Sequence, residues 1–188
     1  MEKKLIRELP QRKDYIINLF RKISKQGITV GTFVTTKYGE NIYESLTGIK
    51  PKGKKFTFQK QKELGVFFID GKTKGSERDK IRLYLNSEES TNEILIAQNE
   101  VVSTGNNYPK LKNFVFIEPP GKSFTKILQS IGRVMRKSEA SGDNVYVWDI
   151  VDCFNYSTDN YSLLHFWERL EYYEKEQHPV IEKEVKLE

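Results

Sequence analysis

The sequence predicts one α/β domain with three layers, in which helices cover both faces of a mostly parallel β-sheet. Short, continuous apolar runs alternate with stretches of helical periodicity, and such runs are typical of strands that are buried on both faces. The length of 188 residues suits one domain of this kind. We find no internal repeat and no linker that would divide it. We expect the domain to cover residues 1–152 and a helical extension, packed on it or toward a partner, to cover 153–188.

Five strands follow from runs of apolar, β-branched and aromatic residues. These runs cover residues 29–36, 66–70, 93–97, 113–118 and 145–152. Helical periodicity predicts helices over 11–26, 39–46, 76–85 (with Ser76 as the cap) and 123–136, and a final amphipathic helix that carries Leu163, Phe166, Trp167 and Leu170. Ligands of parallel sheets bind beyond the carboxyl ends of the strands, so we expect the chemistry in the loops there.

The composition excludes several classes of protein. A single cysteine, Cys153, excludes a disulfide scaffold and a multi-cysteine metal site, and we expect it to be a buried, inert thiol. No apolar run approaches the length needed to cross a bilayer, and no apolar stretch follows the charged residues after Met1. We therefore expect a soluble cytoplasmic protein, in the host cytoplasm if the source is viral.

Positive charge is concentrated in one basic insertion, residues 49–63. It holds six lysines, whereas the whole chain carries a net charge of +5, so the rest of the chain is close to neutral. The lysines, with Pro51 and Gly53, predict an exposed loop, and Phe56 and Phe58 after them suggest a short strand or hairpin arm. Such a loop fits a contact with a phosphate backbone, but it also fits a solvated surface.

The helix predicted over 123–136 has two different faces. Its apolar residues share one arc, whereas the opposite side carries Gln129, Gly132, Arg133 and Arg136. Arginine presents a rigid fork of donors that suits phosphate oxygens, and glycine permits a close approach. Periodicity alone would also fit a solvated basic face.

The same residues form a known pattern. The run from Gln129 to Arg136 resembles motif VI of superfamily 2 helicases, Q-x-x-G-R-x-x-R. Residues 103–109, Ser-Thr-Gly-Asn-Asn-Tyr-Pro, resemble motif V, and residues 33–36, Phe-Val-Thr-Thr, resemble the end of the motif IV strand. Gly71 and Arg78 resemble the glycine and arginine of the loop and helix that come next in that family. These pieces occur in the family's order from about residue 11 to residue 152.

Within that superfamily, the chain is most similar to phage DNA helicases of the UvsW type. The similarity lies in Tyr38-Gly39-Glu40, in Ser103-Thr104-Gly105 and in residues 147–152, Val-Trp-Asp-Ile-Val-Asp. One residue departs from the pattern. Many members carry aspartate, which touches the nucleotide ribose, where this chain has Asn107.

The resemblance implies a RecA-like fold and a set of roles. Arg136 would be the arginine finger, supported by Arg133 and Gln129, and the nucleotide would also contact Gly105, Asn107 and Gly132. Nucleic acid would be bound by residues of the loops after three strands, namely Thr35, Thr36, Gly71, Lys72, Arg78, Ser103 and Thr104.

ATP and Mg²⁺ would lie between this chain and an N-terminal RecA-like domain, in cis or in trans, that carries the P-loop and the acidic pair. The sequence lacks both motifs. Gly121-Lys122-Ser123 precedes a helix, but Phe116 stands where the P-loop pattern requires glycine.

Two functions are therefore compatible with the sequence. The first is the second motor domain of an ATP-dependent DNA helicase that unwinds DNA or remodels branches, with this chain alone unable to hydrolyse ATP. The second is a non-enzymatic nucleic-acid-binding module or regulatory subunit with the same fold. The spacing of Arg133 and Arg136 favours the first.

Overall fold

A computed structural model describes residues 2–53, 55–103, 108–118, 144–154 and 160–187. Within these ranges five strands form one sheet. The strands are β1 (Ile28–Phe33), β2 (Val66–Ile69), β3 (Ile94–Gln98), β4 (Leu111–Phe116) and β5 (Tyr146–Asp149). The helices are α1 (Glu2–Glu8), α2 (Pro10–Ile23), α3 (Thr36–Thr47), α4 (Phe58–Leu64), α5 (Gly75–Leu85), α6 (Asn99–Ser103) and α7 (Tyr161–Lys175). A 3₁₀ turn, Ser24–Gln26, follows α2.

The sheet has the order β2-β3-β1-β4-β5, and every pairing in it is parallel. This confirms the α/β prediction. Strand β1 lies at the centre, paired with β3 on one side and β4 on the other. The loops that follow β1, β3 and β4 therefore leave the sheet side by side, at its carboxyl edge.

Two apolar clusters fill the space on the two faces of the sheet. One joins α2 and α3 to the sheet through residues such as Phe20, Ile42 and Val115. The other joins α5, α6 and α7 through residues such as Ile81 and Tyr173. Both faces are thus covered, and for this reason the strands read as apolar runs in the sequence.

Glycine in β1 allows α2 to approach the sheet closely. A Cβ atom at Gly31 would lie 2.2 Å from Cζ of Phe20, a ring that is fully buried. Any larger residue would therefore push α2 away from the central strand.

The basic insertion contains a helix, α4, so the predicted strand or hairpin arm at Phe56 and Phe58 is wrong. Phe56 packs edge-on against Tyr43, whereas Phe58 stacks on Phe67 of the edge strand β2. Gln61 is buried and accepts a hydrogen bond from the amide of Phe68 at 3.1 Å. This segment therefore covers the outer edge of the sheet, where unpaired backbone groups need partners.

Several predicted boundaries shift, and one burial prediction fails. Helix α3 begins at Thr36 rather than Gly39, and α5 begins at Gly75, with Lys74 instead of Ser76 at the cap position. Helices α1 and α6 were not predicted. Cys153 is exposed, contrary to the expected buried thiol, because β5 ends at Asp149 and the chain beyond it is irregular. The helix predicted over 123–136 lies outside the described residues.

Candidate nucleic-acid interface

The predicted nucleic-acid residues that the structure describes lie at the carboxyl edge of the sheet. Thr35 and Thr36 follow β1, Gly71 and Lys72 follow β2, and Ser103 ends the helix that follows β3. Parallel strands bring these loops to one edge, as expected. The other predicted site residues, Thr104, Gly105, Asn107, Gln129, Gly132, Arg133 and Arg136, lie outside the described residues.

The loop after β1 leads directly into a helix. Thr35 has an extended backbone and precedes α3, and its carbonyl accepts hydrogen bonds from the amides of Tyr38 and Gly39. Thr36 is the first residue of the helix, so its amide and that of Lys37 have no partner within the helix. A helix that begins in this way attracts anions through its amides and dipole.

The loop after β2 is a tight turn organised by Asp70. The Asp70 carboxylate accepts hydrogen bonds from the amides of Lys72 and Thr73 and from the Thr73 hydroxyl, each at 3.0 Å. Gly71 and Lys72 are exposed on this turn. The turn thus presents a lysine beyond the end of the strand.

Arg78 supports this turn from α5. Its guanidinium donates to the carbonyls of Thr73, Asp70 and Gly71 at 2.8, 3.2 and 3.1 Å. In this structure, the side chain therefore shapes the loop that carries Lys72.

Three residues that sequence reasoning missed fasten the loops to one another. The Gln98 side chain accepts from the amide of Gly71 at 2.9 Å, joining the loop of β2 to the end of β3. Asn99 donates to the carbonyl of Glu118 at 3.5 Å, and the Glu118 carboxylate accepts from the amide of Thr35 at 2.8 Å. No local pattern could reveal these residues, because their partners are distant in sequence.

The basic insertion reaches toward the same edge. Lys52 lies 2.6 Å from Glu40 of α3. Glu40 raises the pKa of Lys52, first through the hydrogen bond and then through its charge. Burial lowers this pKa, and the charge of Asp70 in the β2 turn raises it. Lys62 is engaged elsewhere, 2.7 Å from Glu89. The pairings of Lys52 and Lys62 lower the free positive charge of the insertion.

The two acids near the end of β5 have structural partners. Asp149 accepts from Arg169 at 2.6 and 3.0 Å, and Asp152 accepts from Arg12 at 2.6 Å. These ion pairs give both acids a structural role, Asp149 at the end of β5 and Asp152 beyond it. Among the residues that the structure describes, no group of three or more His, Cys, Asp or Glu side chains could hold a metal ion. None of the helices described is long and apolar enough to cross a membrane.

Comparisons with known proteins agree with this architecture. The solved structure of T4 UvsW has a TM-score of 0.76 and 25% identity, over 99% of this chain and 37% of that chain. The structure of S. cerevisiae Dbp5 bound to RNA and ADP BeF3 has a TM-score of 0.60 and 18% identity, over 86% of this chain and 36% of that chain. This chain thus spans little more than a third of the length of either protein. No curated protein matches it.

The family described as "Helicase conserved C-terminal domain" matches residues 11–138, more than half of the chain. That span includes β1 to β4 and both the predicted motif V and motif VI segments. The chain therefore belongs to the helicase conserved C-terminal domain family, and its fold is that of the second RecA-like domain of superfamily 2 helicases.

Proposed function

We propose that this chain is the second motor domain of an ATP-dependent superfamily 2 DNA helicase that unwinds DNA or remodels branches, and that it binds branched or single-stranded DNA. The observation that carries the proposal is the common edge to which the loops after β1, β2 and β3 lead. These loops supply Thr35, Thr36, Gly71, Lys72 and Ser103, and the family match supports their role.

In this proposal the interface binds the backbone of DNA and not its bases. Hydroxyl groups, amides at the start of a helix and lysine side chains contact phosphates without reading sequence. Thr36 at the start of α3 and Lys72 in the β2 turn are groups of this kind. Ser103 and Thr104 would extend the contact at the third loop, and Arg78 would act through the β2 turn.

The nucleotide side of the proposal rests on the sequence. Gly105, Asn107, Gln129, Gly132, Arg133 and Arg136 would face ATP and Mg²⁺ in a cleft shared with an N-terminal RecA-like domain. When bound there, ATP supplies the phosphoryl group whose transfer to water drives movement. Arg136 would stabilise the charge that develops on that group, with Arg133 and Gln129 in support. We propose the cytoplasm, or the host cytoplasm for a viral source, as the setting.

An arginine substitution tests the proposal in the protein that contains this chain together with its P-loop half. We expect Arg136→Ala to lower the rate of ATP hydrolysis by about 10³–10⁵, as for other arginine fingers, while the affinity for DNA is retained. Steady-state phosphate release and fluorescence anisotropy with a labelled oligonucleotide measure the two quantities.

Arg21→Ala is the matched control, since Arg21 is exposed in the last turn of α2, and it should leave both quantities unchanged. Turnover near that of the wild type in Arg136→Ala would reject the assignment. DNA binding without any ATP hydrolysis by the wild type would instead favour a non-enzymatic binding module.

A further inference from the structure

Glu118, just beyond the end of β4, binds the loop that follows β1. Its carboxylate accepts hydrogen bonds from the amides of Val34 and Thr35 at 3.0 and 2.8 Å. It also accepts a bond from the Thr35 hydroxyl at 3.3 Å. Two adjacent amides and a hydroxyl are the kind of donor set that could hold a phosphate. In this structure those donors are committed to a side chain of the same molecule.

The carboxylate is also held by the N-terminal helix α1. Arg7 of α1 donates from Nε at 2.6 Å, and a second nitrogen of its guanidinium contacts the same carboxylate oxygen. The backbone of Glu118 is fixed as well, because its amide donates to the carbonyl of Thr32 at 3.2 Å and its carbonyl accepts from Asn99. Glu118 therefore joins α1 to the loops that follow β1 and β3.

Two roles fit these contacts. Glu118 could compete with a phosphate for the amides of Val34 and Thr35, or it could hold the loop so that other groups meet the phosphate. Its side chain is only 12% exposed and Arg7 neutralises its charge, so displacement would break several charge-assisted bonds and leave a carboxylate with poor solvation. The contacts therefore favour a carboxylate that stays in place.

We propose that Glu118 is a positioning residue for the contact between Thr36 and DNA. By fixing the amides of Val34 and Thr35, it sets the direction in which α3 begins. That direction decides where the Thr36 hydroxyl and the first amides of α3 point. The inference rests on the proposed function, because it assigns the phosphate contact to the start of α3.

The test compares Glu118→Gln with a matched control, Glu93→Gln, in the full-length protein. Glu93 precedes β3, at the opposite end of the sheet, and it too fastens a loop. Its carboxylate accepts from Thr91, Ser90 and Tyr84 at 2.7, 2.6 and 2.9 Å. The probe is a fluorescent single-stranded oligothymidylate whose Kd is measured by anisotropy, and thermal unfolding reports the stability of each variant.

We expect Glu118→Gln to raise the Kd by about tenfold, the loss of one charge-assisted phosphate contact. Glu118→Gln and Glu93→Gln should lower Tm by similar amounts, but Glu93→Gln should change the Kd less than about twofold. Glu118→Asp provides a second variant, which keeps the negative charge but is too short to reach both amides. It should also weaken binding.

Equal effects of Glu118→Gln and Glu93→Gln on the Kd, or no effect of either, would overturn the positioning role. Tighter binding by Glu118→Gln would overturn it in favour of competition with phosphate. Failure of the wild-type protein to bind the oligonucleotide would overturn the proposed function and the positioning role with it, and this outcome is distinct from a change confined to the Glu118 variants.

Discussion

Arg12 is a buried, charged side chain that connects four segments near the carboxyl edge of the sheet. It is 2% exposed and donates to Asp152 at 2.6 Å, to the carbonyl of Ile117 at 2.9 Å and to the hydroxyl of Tyr38. Burial is the largest influence on its pKa and lowers it, but Asp152 and Tyr38 together outweigh burial, so the pKa is raised. The guanidinium therefore stays charged and ties α2 to α3, to the chain after β4 and to the chain after β5.

The contributions of Arg12 and Asp152 to stability should be coupled. Arg12→Met leaves the buried Asp152 without its counter-ion, and we expect a decrease of about 3–5 kcal/mol in the free energy of unfolding. Arg12→Met combined with Asp152→Asn should lose less than the sum of the single changes. Urea denaturation measures all three, and Arg21→Met on the exposed side of α2 is the control. If the double variant loses as much free energy of unfolding as the two single variants together, the coupling between Arg12 and Asp152 is contradicted.

At the scale of elements, the N-terminus of α7 is capped by the opposite end of the chain. The Glu2 carboxylate accepts hydrogen bonds from the amides of Tyr161 and Ser162, both at 2.8 Å, and from the side chain of Asn160 at 3.1 Å. Burial is the largest single influence on the Glu2 pKa and raises it, but these hydrogen bonds together lower the pKa below its usual 4.5. α1 is thereby attached both to α7 and, through Arg7, to Glu118.

This cap makes part of the stability depend on pH. Because the pKa of Glu2 is lower in the folded protein, its stabilising effect is complete above about pH 4.5 and is lost as the pH falls through the folded pKa. We expect Glu2→Gln to cost about 1 kcal/mol at pH 7 and much less at pH 3. Urea denaturation at the two pH values measures the difference, with Glu8→Gln, exposed on the same helix, as the control. An equal deficit at both pH values would show that the charge of Glu2 is not responsible.

At the scale of the whole molecule, the chain covers 37% of T4 UvsW and belongs to a family of helicase C-terminal domains. A motor of this superfamily holds ATP between two RecA-like domains. The groups proposed here include an arginine finger but neither a P-loop nor an acidic pair for Mg²⁺. In the proposed motor, each half would supply only part of the nucleotide site.

We expect the purified chain alone to release phosphate from ATP at the background rate. The protein that joins it to the P-loop half should hydrolyse ATP, and DNA should stimulate the rate. A coupled assay of phosphate release measures both. Substantial turnover by the chain alone, persisting in Arg136→Ala, would contradict the division of the site between two domains.

The apolar runs and the order of the motifs were enough to predict the fold class and the edge of the sheet where the candidate site lies. Strands buried on both faces have no polar face, so the five strands and the parallel α/β class could be predicted from local sequence. Thr35, Thr36, Gly71 and Lys72 could be assigned to one edge because parallel strands bring their following loops together. Local patterns failed at Phe56, Phe58 and Cys153, where packing against the sheet edge and the early end of β5 decide the outcome.

Only the tertiary structure identified the residues that fasten distant segments of the chain to one another. Glu118 reaches the amides of Val34 and Thr35, Gln98 reaches Gly71, and Glu2 caps a helix that begins at Tyr161. Hydrophobic periodicity reports which face of an element is buried, and this can be judged over a few neighbouring residues. A hydrogen bond between distant residues depends on strand order and loop path, so its partners become known only when the chain has folded.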